Sequence, residues 1–202
     1  MNSLSSNVIH NLIKANPYIK RFKSQDRKDI HSFSYLVDKK FRMTHSDCIK
    51  LGIAMEKILT DIILEFNKDI IDIKIKNQKN KRERDHIFKD DVEKVIYYCE
   101  IKSNLNLDTE KSCSTIAKCL DIVEELKDQY PAYDIKWGLV GLRYHNKNNI
   151  PSKISNKYKK IEENILGIND YLSMLNISLN FTHRTYTTFV NSVVNQLLDS
   201  GN

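Results

Sequence analysis

Glycine and proline are scarce in this chain, five and three among 202 residues. So few glycines leave no glycine-rich phosphate loop, and both the Walker and the dinucleotide-binding motifs are absent. Long hydrophobic runs are missing too. The longest, such as "WGLVGL" at 137–142, falls far short of the about 20 apolar residues that a bilayer-spanning helix needs. The opening "MNSLSSNVIHNLIKANPYIKRF" has no continuous apolar stretch of the kind a secretory leader carries. A soluble, cytoplasmic protein with no membrane partner is expected. Cysteine is sparse as well: Cys48, Cys99, Cys113 and Cys119 form no Cys-x-x-Cys pair, and each lies in an apolar periodic segment. Such thiols suit a core better than a disulfide frame or a zinc site.

What is present is enough apolar residue, 41%, for one full core. A chain of this length is expected to form a single domain over residues 1–202. The net charge is +6 and the pI about 9.0, a balance that favours a polyanionic partner. The positive charge is concentrated in "KNQKNKRER" (76–84) and "KISNKYKKIEE" (153–163).

Residues 1–43 have helix-like spacing around Ile9, Leu12 and Ile13 and form an N-terminal extension. From Thr44, whose spacing to Asp47 resembles a capping box, apolar residues recur at Cys48, Leu51, Met55, Ile58, Leu59, Ile62, Ile63 and Phe66. That period of 3.6 predicts a helix. "DIIDIKIK" (69–76) alternates Ile71, Ile73 and Ile75 with charged residues, as a half-buried strand does. "DHIF" and "VIYYCEIK" read as a hairpin about "KDDVEK". Asp108 and Thr109 cap a second helix running through Ile116, Leu120, Val123 and Leu126 until Pro131 stops it. "DIKWGLVGLRY" (134–144) is a near-continuous apolar run, the pattern of a strand covered on both faces. Residues 145–160 read as a mobile loop, and "INDYLSML" and "TYTTFVNSVVNQLL" as two closing helices. The fold class is α/β: helix, three strands, helix, strand over about 44–144, with helical extensions at 1–43 and 145–202.

The hairpin brings charge together. If 91–94 form a four-residue loop, Asp90 pairs with Val95, and counting outward places Asp85 opposite Glu100. Directly opposed residues have Cβ atoms about 4.5–5.5 Å apart, within reach of one hard cation. Lys102 leaves the strand on the same face as Glu100, because side chains alternate. Two carboxylates and an ammonium at one point suit Mg²⁺-assisted phosphodiester hydrolysis: the acids hold the metal, and the lysine orients water and stabilises developing charge. Asp72-Ile73-Lys74 and Asp134-Ile135-Lys136 have the same spelling, but neither follows a buried run with an opposed acid one hairpin upstream. His86 points to the opposite face and reads as packing, as do Trp137, Tyr97 and Tyr98, with one tyrosine hydroxyl bonded near the site.

Asp85 followed after fourteen residues by Glu100-Ile101-Lys102 resembles the PD-(D/E)XK nuclease superfamily, whose core has the same order of elements. Arg84 stands where the family often has proline. The resemblance implies a restriction-endonuclease-like fold, a mixed central sheet flanked by helices. It implies Mg²⁺ held by Asp85, Glu100 and the Ile101 carbonyl, with Lys102 catalytic and Glu56 of "KLGIAMEKIL" as a further acid. A compact basic chain of this kind is most similar to a type II restriction endonuclease. Such an enzyme would be a homodimer cutting double-stranded DNA, paired with a methyltransferase acting on the same site. A structure-selective repair nuclease such as a junction resolvase, and a non-catalytic DNA-binding protein, are the alternatives. For DNA contact, Ser103, Asn104 and Asn106 follow Lys102 directly, Lys111 and Ser112 open the next helix, and Arg82 and Arg84 flank the first acid.

Overall fold

In the computed structural model, residues 3–15, 45–73 and 84–198 are described. The chain divides into two compact units, one reaching to Ile62 and resuming at Leu179, the other spanning Ile63–Ser178.

The first unit is helical. Helix α1 (Ser3–Ala15) buries Ile9 and Ile13 and packs against the last helix, α6 (His183–Leu198), which turns Tyr186, Phe189, Val190, Val193, Val194 and Leu197 inward. Helix α2 (His45–Phe66) starts in this unit. Its apolar stripe is the one read from the sequence, with Cys48, Leu51, Met55, Ile58, Leu59, Ile62 and Ile63 all buried and Phe66 half-buried. Thr44, the expected cap, lies outside the described residues.

The second unit is a five-stranded mixed sheet in the order β1-β2-β3-β4-β5. Strands β1 (Ile70–Asp72), β2 (His86–Asp90) and β3 (Val95–Lys102) run antiparallel, and β4 (Asp134–Gly141) and β5 (Ile165–Leu166) extend the sheet in parallel from β3. The β2–β3 register is the expected one, with Asp90 opposite Val95. Two features close its loop. The Asp90 carboxylate accepts the N–H groups of Val92 and Glu93 at 2.9 and 2.8 Å, and Lys94 takes the left-handed conformation, φ 55°, that lets the chain turn back.

Helix α3 (Thr109–Gln129) connects β3 to β4, as parallel neighbours require. Asp108 caps it by accepting Lys111 N–H at 2.8 Å. Its Cys119, Ile122, Val123 and Leu126 pack on Ile87, Ile96 and Tyr98, so α3 covers the sheet face that also carries residues 85, 100 and 102. On the opposite face His86 contacts Tyr171 of α5 (Ile168–Met174), a buried packing role as expected.

Several local expectations are corrected. Leu120 is exposed, because the covered stripe of α3 runs through Cys119 and Ile122 instead. In β1 Ile71 is 52% exposed while Ile70 is buried: the strand is at the sheet edge, where the α3-side core reaches Ile73 and stops. In β4 only 138–141 are fully covered, and 134–137 alternate between exposed and half-buried. Residues 145–160, expected to be a mobile loop, form the short turn Lys147–Asn149, helix α4 (Ser152–Ser155) and much of the 3-10 segment Asn156–Asn164. Composition misled here because Ile154, Tyr158 and Ile161, spaced three and four apart among the lysines, pack on Leu105, Ile116 and Leu139. Asn146 approaches Gly167 so closely that a Cβ there would meet the Asn146 main chain at 2.6 Å.

Candidate active site

Asp85 stands one residue ahead of β2, one step past the last ladder pair, His86 and Cys99. Its Oδ2 accepts the Ile101 N–H at 2.6 Å, which continues the hairpin by a side chain where the main-chain ladder has ended. Glu100, the next residue of β3, is 0% exposed. A buried carboxylate is tolerated only when it is paired and hydrogen-bonded, and Glu100 is both. Lys102 Nζ lies 2.6 Å from Oε1, Lys118 Nζ lies 2.8 Å from Oε1 and 2.7 Å from Oε2, and the Tyr98 hydroxyl donates to Oε2 at 3.2 Å. Tyr98 is thus the tyrosine bonded at the site.

Two acids and two lysines make the cluster neutral in formal charge. Glu100 forms its floor, and the cluster opens through half-buried Asp85, Lys102 and Lys118. Burial raises the Asp85 pKa, and the Glu100 charge adds to this; the Ile101 N–H and the two ammonium groups work against it. Burial alone would lower the Lys102 pKa. The charge and hydrogen bond of Glu100, with Asp85 behind it, outweigh that and hold the lysine above its ordinary value. Burial and the nearby Glu100 also push the Cys119 thiol up to about 11, which keeps it neutral and inert beneath the site.

Asp85, Glu100, Ile101 and Lys102 are therefore brought together. Lys118 was not anticipated. It sits on α3 three residues after buried Thr115 and four before buried Ile122, and a lysine on the covered ridge of the helix following the hairpin is the signal that marks it. Glu56 lies half-buried on α2, in the other unit, and its main-chain carbonyl accepts the Thr60 hydroxyl at 3.2 Å.

The residues expected at DNA fall into three groups. Arg82 lies outside the described residues. Arg84 and Ser112 are turned inward. The Arg84 side chain is 4% exposed and pairs with Glu125 of α3 at 2.5 Å, and Ser112 is buried with its hydroxyl donating to the Thr109 carbonyl at 2.9 Å. α3 lies over Arg84, and Ser112 is on the covered side of α3 itself. Ser103 and Asn104 are half-buried in the turn after β3, whereas Asn106 and Lys111 are exposed. Asn104 accepts the Asn106 N–H at 2.9 Å, and Lys111 pairs with Asp108 at 3.0 Å. The second basic stretch joins this group, since Lys157 Nζ donates to Asn106 Oδ1 at 3.0 Å and to the Leu107 carbonyl at 2.6 Å. Tyr158 donates to the Leu105 carbonyl at 2.8 Å.

Among the described residues no three His, Cys, Asp or Glu side chains converge as a metal-binding group. The donor chemistry still fits Mg²⁺, which is commonly held by one or two carboxylates and keeps several waters. Asp85 and Glu100 would be those carboxylates, with the Ile101 main chain between them. Among the described residues, no helix is long and apolar enough to cross a membrane. No protein-family model, curated protein or solved structure matches this chain.

Proposed function

We propose that this protein is a Mg²⁺-dependent endonuclease of PD-(D/E)XK type that hydrolyses double-stranded DNA, most similar to a type II restriction enzyme. The observation that carries the reading is the convergence of Asp85, Glu100 and Lys102 at the open end of one hairpin, with Glu100 fully buried yet ionically paired. A charged group kept so far from water needs a task or a large compensation. The same spelling at Asp134-Ile135-Lys136 sits on an exposed strand start.

Asp85 and Glu100 supply the oxygen donors. A bound Mg²⁺ would neutralise charge on the scissile phosphate and lower the pKa of a coordinated water. Lys102, whose raised pKa keeps it an ammonium at neutral pH, donates to the attacking water or to the phosphate oxygens and stabilises the charge that develops there. The turn at 103–107, which follows Lys102 and is braced by Lys157 and Tyr158, and the exposed Lys153, Lys159 and Lys160 of the same basic stretch offer phosphate contacts. A homodimer and a companion methyltransferase belong to the same proposal.

Digestion of a plasmid of known sequence with Mg²⁺, followed by mapping of the cut ends, tests the reading. Discrete fragments with a shared end sequence are expected. Cutting confined to branched junctions would favour the structure-selective alternative, and binding without any cutting would favour the non-catalytic one.

A further inference from the structure

Glu100 accepts three hydrogen bonds, from Lys102, Lys118 and Tyr98, and Lys118 makes a further ion-pair contact with the second carboxylate oxygen. These four contacts compare with the about four lone-pair sites of the two oxygens. Lys118 differs from the others in geometry. Its ammonium touches both oxygens, at 2.8 and 2.7 Å, and so lies across the carboxylate edge, where a chelated cation would sit. Lys102 touches one oxygen, and Asp85 spends one of its own on the Ile101 N–H. A metal ion shared by the two acids therefore requires a donor to leave Glu100, and Lys118 occupies the position in question.

We propose that Lys118 is the resident counter-ion of Glu100, a positioning residue that holds the metal-binding edge of this carboxylate and yields it when Mg²⁺ binds. The inference rests on the metal-dependent reading above. It gives α3 a second role: besides covering the sheet, the helix sets the metal affinity of the site. With Lys118 in place the two acids are held together without metal, and the ion must compete with an ammonium already seated. A cation within 4–6 Å changes a carboxylate's affinity for a proton by about ten- to a thousandfold, and the same charge should act comparably on a metal ion.

The test is calorimetric titration of the full-length protein with Mn²⁺, without DNA, for the wild type and for Lys118→Met, Lys118→Arg and Glu100→Gln. Lys118→Met should bind Mn²⁺ about tenfold tighter or more, Lys118→Arg should stay near the wild type, and Glu100→Gln should lose binding. Equal or weaker binding by folded Lys118→Met, with Glu100→Gln still defective, would overturn the counter-ion role and leave the metal site standing. Binding absent from every protein, or unaffected by Glu100→Gln, would overturn the metal site and this proposal with it. Should Lys118→Met fail to fold, the wild type gives the answer through ¹⁵N resonances of its lysine ammonium groups. Mg²⁺ should shift the Lys118 signal and leave that of exposed Lys153 in place. An unmoved Lys118 signal, in a sample where the Ile101 amide reports bound metal, would contradict the proposal.

Discussion

The Asp85 carboxylate accepts the main-chain N–H of Ile101 at 2.6 Å, so the first acid of the site is fastened to the residue that separates Glu100 from Lys102. One hydrogen bond thereby fixes three side chains relative to one another. It also closes the hairpin at the end where the candidate site lies.

Asp85 should lower stability at neutral pH. Its pKa is raised in the folded chain by burial and by the Glu100 charge, so the native state holds the proton more tightly than the unfolded state does. Stability then falls as pH rises from about 4, the ordinary aspartate value, through the raised one. Asp85→Asn keeps an oxygen for Ile101 and removes the charge. In EDTA at pH 7 it should melt at a higher temperature than the wild type, by about 2–4 °C if the gain is about 1 kcal/mol, and the difference should close below about pH 4. Cleavage should be lost. Thermal melts across pH check this, and an Asn variant less stable at pH 7 would contradict it.

Tyr158→Phe should loosen the turn that follows Lys102. The Tyr158 hydroxyl is buried, its pKa raised to about 12 by burial, and it serves the Leu105 carbonyl. Leaving a buried acceptor without its partner costs about 1–3 kcal/mol. Urea unfolding should show a lower midpoint with an unchanged slope, and hydrogen exchange should quicken at 103–107.

If Lys159 and Lys160 touch phosphates, replacing both by Ala should flatten the fall of log K with log salt by about 0.9 for each phosphate that is no longer neutralised. Arg84→Ala, whose parent side chain is committed to Glu125, should leave the slope unchanged. Fluorescence anisotropy on duplex DNA at several salt concentrations gives both numbers.

The parts legible in the sequence are those where local pattern and tertiary burial agree. The stripe of α2 and the β2–β3 register are readable because Leu51, Met55 and Ile58 keep one period, and because a four-residue loop at 91–94 sets Asp90 opposite Val95. Asp85, Glu100 and Lys102 follow from that register alone. Lys118 escapes because its partner is 18 residues away in sequence, reached only through the crossover of α3. The inward turn of Arg84 is not legible either, because the packing of α3, which brings Glu125 over it, has no local signature. The 145–160 segment is a case of the same kind, since three apolar residues among many lysines are decisive only once Leu105 and Leu139 stand opposite them.

In the proposed nuclease, Lys102 stands at the end of β3 for chemistry. Single-turnover cleavage of a mapped duplex site in Mg²⁺, by the wild type, Lys102→Ala, Lys74→Ala and Lys136→Ala, tests it most directly, with circular dichroism to confirm folding. Lys136 is exposed and lies over the Tyr97 ring, 5.9 Å from its centroid, so it shares the spelling of the motif without the paired acid. Lys102→Ala should slow cleavage by about 10²–10³ while the other two variants cut like the wild type, and EDTA should abolish cleavage in all. Equal rates for all four proteins, or full cleavage in EDTA, would contradict this reading.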